Sequence, residues 1–234
     1  MTISSVIFDL YGTLVDIETD ESDPALYAVL SQFLTYYEIF LSPKELAARY
    51  QEVSAAHLME HHNPFGEIDV FQVFEEILEK ALNRKVERAM VLFVARLFRS
   101  LSRRRFGLFS DTIPALQELS RDFRLGIVSD AQWVFSEPEI RMLGLNSYFD
   151  TIVLSSRYFI RKPDPQIYAH ALKAMWLPPS QALYVGNDPD ADVPGPQALG
   201  MPVLIIDRTG QRRDLPVPVI KDLRAVLAFI RSRY

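Results

Sequence analysis

The sequence predicts an α/β protein with a doubly wound parallel sheet and an all-helical module inserted after the first strand. Five short apolar runs lack strict polar alternation, which predicts strands that are buried on both faces. Helix-period stretches separate the later runs, and this alternation is typical of a doubly wound sheet. The stretch from about 17 to 107 contains only helical patterns and therefore stands outside the sheet.

Each predicted strand is followed by a polar residue or a glycine, at the edge where such sheets bind ligands. The predicted strands are Ser5–Phe8, 125–128, Thr151–Leu154, 182–185 and 202–206. The predicted core helices are 137–143, Pro165–Met175 and 194–199, and another begins near Asp111 or Thr112 with Pro114 in its first turn.

The internal stretch is predicted to contain helices at 24–37, 43–61, 69–82 and 86–101. We expect residues 1–16 and 108–234 to form the α/β core and 17–107 to form a cap over the sheet edge. The acidic residues from Asp16 to Asp23 are predicted to be a flexible hinge. The basic residues from Arg96 to Arg105 are interpreted as a solvated helix face.

The composition excludes several classes of function. Among 234 residues, 25 Lys and Arg face 30 Asp and Glu, and the resulting net charge of −5 favours neither nucleic acid nor an anionic membrane as a partner. The absence of Cys excludes disulfides, thiolate metal sites and Cys nucleophiles. No apolar run reaches the ~18 residues of a membrane span, and no signal peptide is visible, so a cytoplasmic protein is expected.

Chemically active residues follow the predicted strands. Asp9 follows the first strand and is placed to attack a substrate as a carboxylate nucleophile. The hydroxyls of Thr13 and Ser129 and the ammonium of Lys162 are suited to a small anionic substrate. The segment 187–192 offers an amide and three carboxylates, which are oxygen ligands of the kind that Mg²⁺ takes.

These segments resemble the four motifs of the haloacid dehalogenase superfamily of hydrolases. The matching residues are Asp9-x-x-Gly-Thr-Leu, Ser129, Lys162-Pro-Asp-Pro and Val185-Gly-x-x-Pro-x-x-Asp192, and the helical insert resembles that family's C1-type cap. The resemblance implies a Rossmann-like core and a covalent intermediate on Asp9. It also implies Mg²⁺ bound by Asp9, the backbone carbonyl of Tyr11 and the fourth motif, where Asn187, Asp188 and Asp192 are the candidates.

Two motifs favour different members of the family. Tyr11 stands where family phosphatases usually have a second Asp that acts as acid and base, and it resembles the 2-haloacid dehalogenase branch. A halide leaves without protonation, so that branch needs no acid there. However, the branch usually has Ser and Asn in its fourth motif and a substrate-binding Arg in the cap. The cap candidate here, Arg49, follows Asp9 by forty residues, which is further than the branch suggests. The acidic fourth motif favours a Mg²⁺-dependent phosphatase of a small metabolite. The alternatives are a metal-independent dehalogenase and a binding protein with the haloacid dehalogenase fold but without catalysis.

Overall fold

The computed structural model describes residues 2–210 and 215–234. Its strands are β1 (Ser5–Phe8), β2 (Val15–Thr19), β3 (Arg103–Leu108), β4 (Arg124–Ser129), β5 (Thr151–Leu154), β6 (Ala182–Gly186), β7 (Val203–Ile206) and β8 (Val219–Ile220). Six of them form a parallel sheet in the order β5-β4-β1-β6-β7-β8. The predicted α/β class is thus confirmed, and β1 lies inside the sheet between β4 and β6.

The helices are α1 (Pro24–Leu34), α2 (Pro43–Met59), α3 (Val70–Leu82), α4 (Arg88–Ser102), α5 (Thr112–Leu119), α6 (Trp133–Met142), α7 (Ser155–Tyr158), α8 (Pro165–Met175), α9 (Pro189–Asp192), α10 (Pro194–Ala198) and α11 (Ala225–Arg233). Short 3-10 turns occupy Thr35–Tyr37 and Pro179–Gln181. Among the described residues, none of these helices is long and apolar enough to cross a membrane.

Successive side chains of a strand point to opposite faces, and helices cover both faces at β1. In β1, Val6 and Phe8 pack into a cluster that contains apolar residues of α5 and α11. Ile7 packs on the opposite face, with residues of α8. All four residues of β1 are buried, which explains why this strand is an uninterrupted apolar run.

Helices α1–α4, hereafter the helical insert, share a separate apolar core. Local sequence signals fix where they begin: Ser42 and Glu45 form a reciprocal capping box at α2, and Asp69 caps α3. The apolar core of the insert extends onto α6 through Trp133 and Phe135. These helices are consistent with the predicted cap, whose domain limits stay a prediction.

The prediction that residues 17–107 contain only helices was wrong, because strand residues of β2 and β3 lie at both ends of this stretch. The two crossings into and out of the helical insert form an antiparallel pair, β2 and β3. Arg105 of β3 contacts Asp16 and Glu18 of β2 at 2.9 and 3.0 Å. Within the predicted acidic hinge, Asp16 and Glu18 therefore lie in a paired strand that ends at Thr19, and Asp23 caps α1. Residues 103–105 belong to a strand rather than a helix face.

Candidate active site

Asp9 lies at the carboxyl end of β1, where the structure brings together four of the predicted site residues. Its Oδ1 accepts hydrogen bonds from Ser129 Oγ and Lys162 Nζ, both at 2.8 Å. Thr13 Oγ1 donates to Oδ2 at 3.3 Å. Burial raises the pKa of Asp9 above its ordinary value, and the Lys162 ammonium opposes that shift. A buried carboxylate held by a cation and two hydroxyls is arranged for attack on an anionic substrate.

Lys162 lies between two carboxylates. Its Nζ is 2.8 Å from Asp9 Oδ1 and 2.7 Å from Asp192 Oδ1, and the side chain is 5% exposed. Although burial disfavours the ammonium, the carboxylates of Asp9 and Asp192 raise the pKa of Lys162 well above its ordinary value. The backbone N–H of Lys162 donates to Asp130 Oδ1 at 2.8 Å and so holds the loop against the end of β4. The lysine is consequently a permanent cation beside Asp9.

The loop that follows Asp9, residues 10–14, turns at Gly12. Its φ of +82° lies in the left-handed region, and a Cβ there would come within 3.0 Å of the side-chain amide of Asn187. Glycine is therefore required for the turn and for the close approach of the loop after β6.

The amide of Asn187 faces three oxygens. One of its terminal atoms lies 3.0 Å from Thr13 Oγ1, 3.1 Å from Tyr11 O and 3.2 Å from Asp9 Oδ2. With nitrogen in this position, the amide can donate to all three oxygens. With the amide oxygen in this position, Asn187 offers three oxygen ligands together with Asp9 Oδ2 and the Tyr11 carbonyl, hereafter the oxygen set. Ligands at 2.0–2.1 Å from an octahedral Mg²⁺ lie roughly 3 Å from their neighbours, so this donor set fits the ion.

The other acidic residues of the fourth motif lie outside this oxygen set. Asp188 is exposed, and its side chain accepts the backbone N–H of Asp190 as the N-cap of α9. Asp188 as a metal ligand therefore stays a prediction. Asp192 accepts hydrogen bonds from Lys162, from Tyr184 Oη at 3.0 Å and from Asp188 N at 2.8 Å. It is thus the counter-ion of Lys162, and Asp9 is the one carboxylate in the oxygen set.

The Tyr11 side chain is held by residues of α6. Its hydroxyl lies 2.8 Å from Ser136 Oγ and 2.5 Å from Glu139 Oε2. Burial and the Glu139 carboxylate raise the pKa of Tyr11 above its ordinary value. Arg99 of the helical insert donates to both oxygens of Glu139, at 2.8 and 3.2 Å, and lies over the Tyr11 ring. The phenol therefore links the loop that follows Asp9 to the helical insert through Glu139 and Arg99.

Sequence reasoning missed this contact. Arg99 was interpreted as part of a solvated face, but its side chain is only 12% exposed because it is paired with Glu139. A signal was present in α6, where Glu139 follows the buried Phe135 by four residues and so lies on the same side of the helix. A carboxylate on a buried helical face needs a partner.

A cavity of about 290 Å³ is lined by residues of both the core and the helical insert. Its lining residues are Tyr11, Ile17, Thr19, Glu21, Glu67, Arg99, Asp130, Ala131, Gln132, Phe135 and Ser136. Arg49, the candidate cap arginine of the dehalogenase alternative, lies in α2 and is not among these lining residues. The arginine that the insert contributes is Arg99.

Comparison with known proteins matches residues 3–200 to the family model of the haloacid dehalogenase-like hydrolases. The chain is 25% identical over 214 residues to a glyceraldehyde 3-phosphate phosphatase of Methanopyrus kandleri, covering 91% of this chain and 87% of that protein. It is 32% identical over 164 residues to a phosphoserine phosphatase of Thermus thermophilus, covering 70% of this chain and 63% of that protein.

Solved structures of both enzyme types resemble the fold. A 2-haloacid dehalogenase from Pseudomonas syringae superposes with a TM-score of 0.70 and 25% identity, with 99% of each chain covered. A phosphatase from Thermococcus onnurineus superposes with a TM-score of 0.60 and 21% identity, with 97% of this chain and 98% of that chain covered. These structural similarities extend over nearly the whole chain.

Proposed function

The chain belongs to the haloacid dehalogenase-like hydrolases, and we propose that it hydrolyses small phosphomonoesters through a covalent intermediate on Asp9, with Mg²⁺ as cofactor. One observation carries the choice of phosphate and metal. A terminal atom of the Asn187 amide lies 3.1 Å from the Tyr11 carbonyl oxygen and 3.2 Å from Asp9 Oδ2, close to the spacing of neighbouring ligands on Mg²⁺. A site that displaces halide from carbon has no phosphate dianion to neutralise.

The reaction begins with attack of the Asp9 carboxylate on the phosphorus atom of the bound ester. Ser129 and Lys162 orient the carboxylate by holding Oδ1. Together with Thr13 they offer two hydroxyls and one ammonium to the negative charge of the phosphoryl group. Attack breaks the ester P–O bond, forms an aspartyl phosphate and releases the alcohol. Water then attacks the phosphorus atom, which releases phosphate and restores the carboxylate.

Asp9, the Tyr11 carbonyl and Asn187 are the residues that would hold Mg²⁺. Bound there, the ion supplies positive charge that offsets the charge of the phosphoryl group. The donor set contains one carboxylate and two neutral oxygens, so we expect weaker binding than at a site with two carboxylates.

The relatives support the same substrate class. The names of two of them, from Methanopyrus kandleri and Thermus thermophilus, specify small phosphorylated molecules as substrates. A small phosphorylated anion also agrees with the position of the Lys162 ammonium beside Asp9. We place the proposed activity in the cytoplasm, because a chain without Cys is compatible with reducing conditions.

Dehalogenation of a 2-haloacid is the second candidate, and Tyr11 is the observation that favours it. No carboxylate stands at that position to protonate an alkoxide, and its hydroxyl is bound to Glu139. In this reaction Asp9 would displace the halide at carbon and form an aspartyl ester, which water hydrolyses.

A paired assay separates the two candidates. Phosphate release from a panel of phosphomonoesters and chloride release from 2-chloropropionate are measured with EDTA and with added Mg²⁺. We expect phosphate release that EDTA abolishes and Mg²⁺ restores. Chloride release in EDTA would establish the second candidate instead. Asp9→Asn is the control, because the amide oxygen can still accept the Ser129 and Lys162 hydrogen bonds while the nucleophile is lost.

A further inference from the structure

Hydrolysis through an aspartyl intermediate needs an acid for a poor leaving group and a base for the attacking water. The hydroxyl of Tyr11 is held by Ser136 and Glu139. We propose that Asp130 is the general acid and base of this enzyme, a role that rests on the proposed intermediate at Asp9.

The position of Asp130 carries the proposal. It directly follows Ser129 at the end of β4 and lines the cavity between core and insert. Oδ1 accepts the backbone N–H of Lys162 at 2.8 Å. Oδ2 makes no hydrogen bond with any residue in the described part of the chain. Ser129 and Lys162 both contact Asp9, so the same two residues place Asp130 and the nucleophile.

The surroundings adjust Asp130 to proton transfer. Burial raises its pKa to about 6, and the carboxylates of Asp9 and Glu67 act in the same direction while Lys162 opposes them. A group that titrates near neutral pH can both give and take a proton during one catalytic cycle.

The other acidic residues of the cavity lack this combination. Glu67 has both oxygens occupied, by the backbone N–H of Ile68 at 2.9 Å and by the hydroxyl of Ser155 at 2.8 Å. Glu21 accepts the Tyr50 hydroxyl at 3.3 Å, and no hydrogen bond joins it to a residue that contacts Asp9. Asp130 alone among the acids of this cavity combines a free oxygen with a link to the Asp9 contacts.

Protonated Asp130 donates its proton to the ester oxygen as the P–O bond breaks, so the product leaves as an alcohol. The resulting Asp130 carboxylate removes one proton from water as the water oxygen attacks the phosphorus of the aspartyl phosphate. Inorganic phosphate leaves with the oxygen of that water, and Asp9 returns as a carboxylate while Asp130 is again protonated.

The test is Asp130→Asn in the full chain, with the exposed Asp190→Asn as the matched control. The asparagine oxygen can still accept the Lys162 N–H, so the loop contact is retained. With a glycerol phosphate, whose leaving group needs an acid, we expect turnover to fall by ~10²–10⁴-fold. With p-nitrophenyl phosphate, whose leaving group needs none, we expect a burst of one equivalent of nitrophenolate followed by slow turnover. Intact-mass analysis should then show a phosphorylated enzyme.

Equal losses on both substrates, with no burst and no covalent adduct, would overturn the assignment. So would an adduct that accumulates in Glu67→Gln but not in the Asp130 variant. Failure of the proposed phosphatase function is distinguishable, because the wild-type enzyme would then release chloride from 2-chloropropionate. In that case the Asp130 variant should accumulate a carboxyalkyl ester on Asp9, since hydrolysis of the ester also needs a base.

Discussion

Replacement of Lys162 by Met removes the cation between two buried carboxylates while keeping a side chain of similar length. In the wild-type chain the ammonium lies 2.8 Å from Asp9 and 2.7 Å from Asp192, and all three side chains are at most 6% exposed. Removal of one partner from a buried ion pair typically costs about 3–5 kcal/mol, because the remaining charge stays desolvated. We therefore expect the free energy of unfolding to fall by about 3–5 kcal/mol.

The corresponding fall in melting temperature is about 6–20 °C, at about 2–4 °C per kcal/mol for a chain of this size. Urea denaturation at pH 7.5, followed by circular dichroism, measures the loss. The matched control is Lys80→Met, which breaks the i,i+4 pair with Glu76 on an exposed helix surface and should leave stability nearly unchanged.

The dependence on pH provides a second readout. Without Lys162, the pKa of Asp9 rises further above its unfolded value, so the folded state holds more protons than the unfolded state in the range between the two values. Stability then increases as the pH falls through that range, and the loss should be smaller at pH 5 than at pH 7.5. The added change Asp192→Asn should restore part of the stability. A loss no greater than that of Lys80→Met would refute the argument.

Three further outcomes are expected. Asn187→Asp should tighten Mg²⁺ binding at least about tenfold by calorimetry, because it adds a second carboxylate to the oxygen set. The same change should lower the melting temperature in EDTA, because the new charge lies 3.2 Å from Asp9 Oδ2. Unchanged affinity would contradict the assignment of Asn187 as a ligand. Gly12→Ala should lower the free energy of unfolding in urea more than Gly144→Ala does. Both glycines have positive φ, but only at Gly12 would a Cβ meet a neighbour, the side chain of Asn187. Equal losses would mean that the Asn187 contact is unimportant. Glu139→Gln should destabilise the chain by about 3–5 kcal/mol in the same assay, whereas Glu137→Gln, whose partner Arg157 is exposed, should change stability little.

The part of the site that could be predicted from sequence is the part fixed by strand order. Asp9 and Ser129 directly follow or end apolar strands, and the carboxyl ends of parallel strands meet at one edge of the sheet. Lys162 precedes the Asp164 cap of α8, so a local signal also placed it near that edge. Convergence on Asp9 follows from topology, without knowledge of any side-chain conformation.

The antiparallel pair of β2 and β3 could not be predicted in this way. Its central ion pair joins Asp16 to Arg105, which are 89 residues apart, and each segment by itself is a run of like charges. Only the return of the chain from the helical insert places the two runs side by side, where opposite charges stabilise the pairing.

Sequence by itself determined the α/β class and the residues at the sheet edge, because buried strands and their ends can be recognised from the local hydrophobic pattern. The four residue motifs identified the family. The tertiary structure decided which of those side chains share a site. Asn187 and Asp188 are adjacent in the chain, yet one faces Asp9 and the other caps a helix in solvent. Tyr11 is directed to Glu139 by packing against α6 and the helical insert. Such side-chain orientations depend on long-range contacts, which the spacing of residues along the chain does not predict.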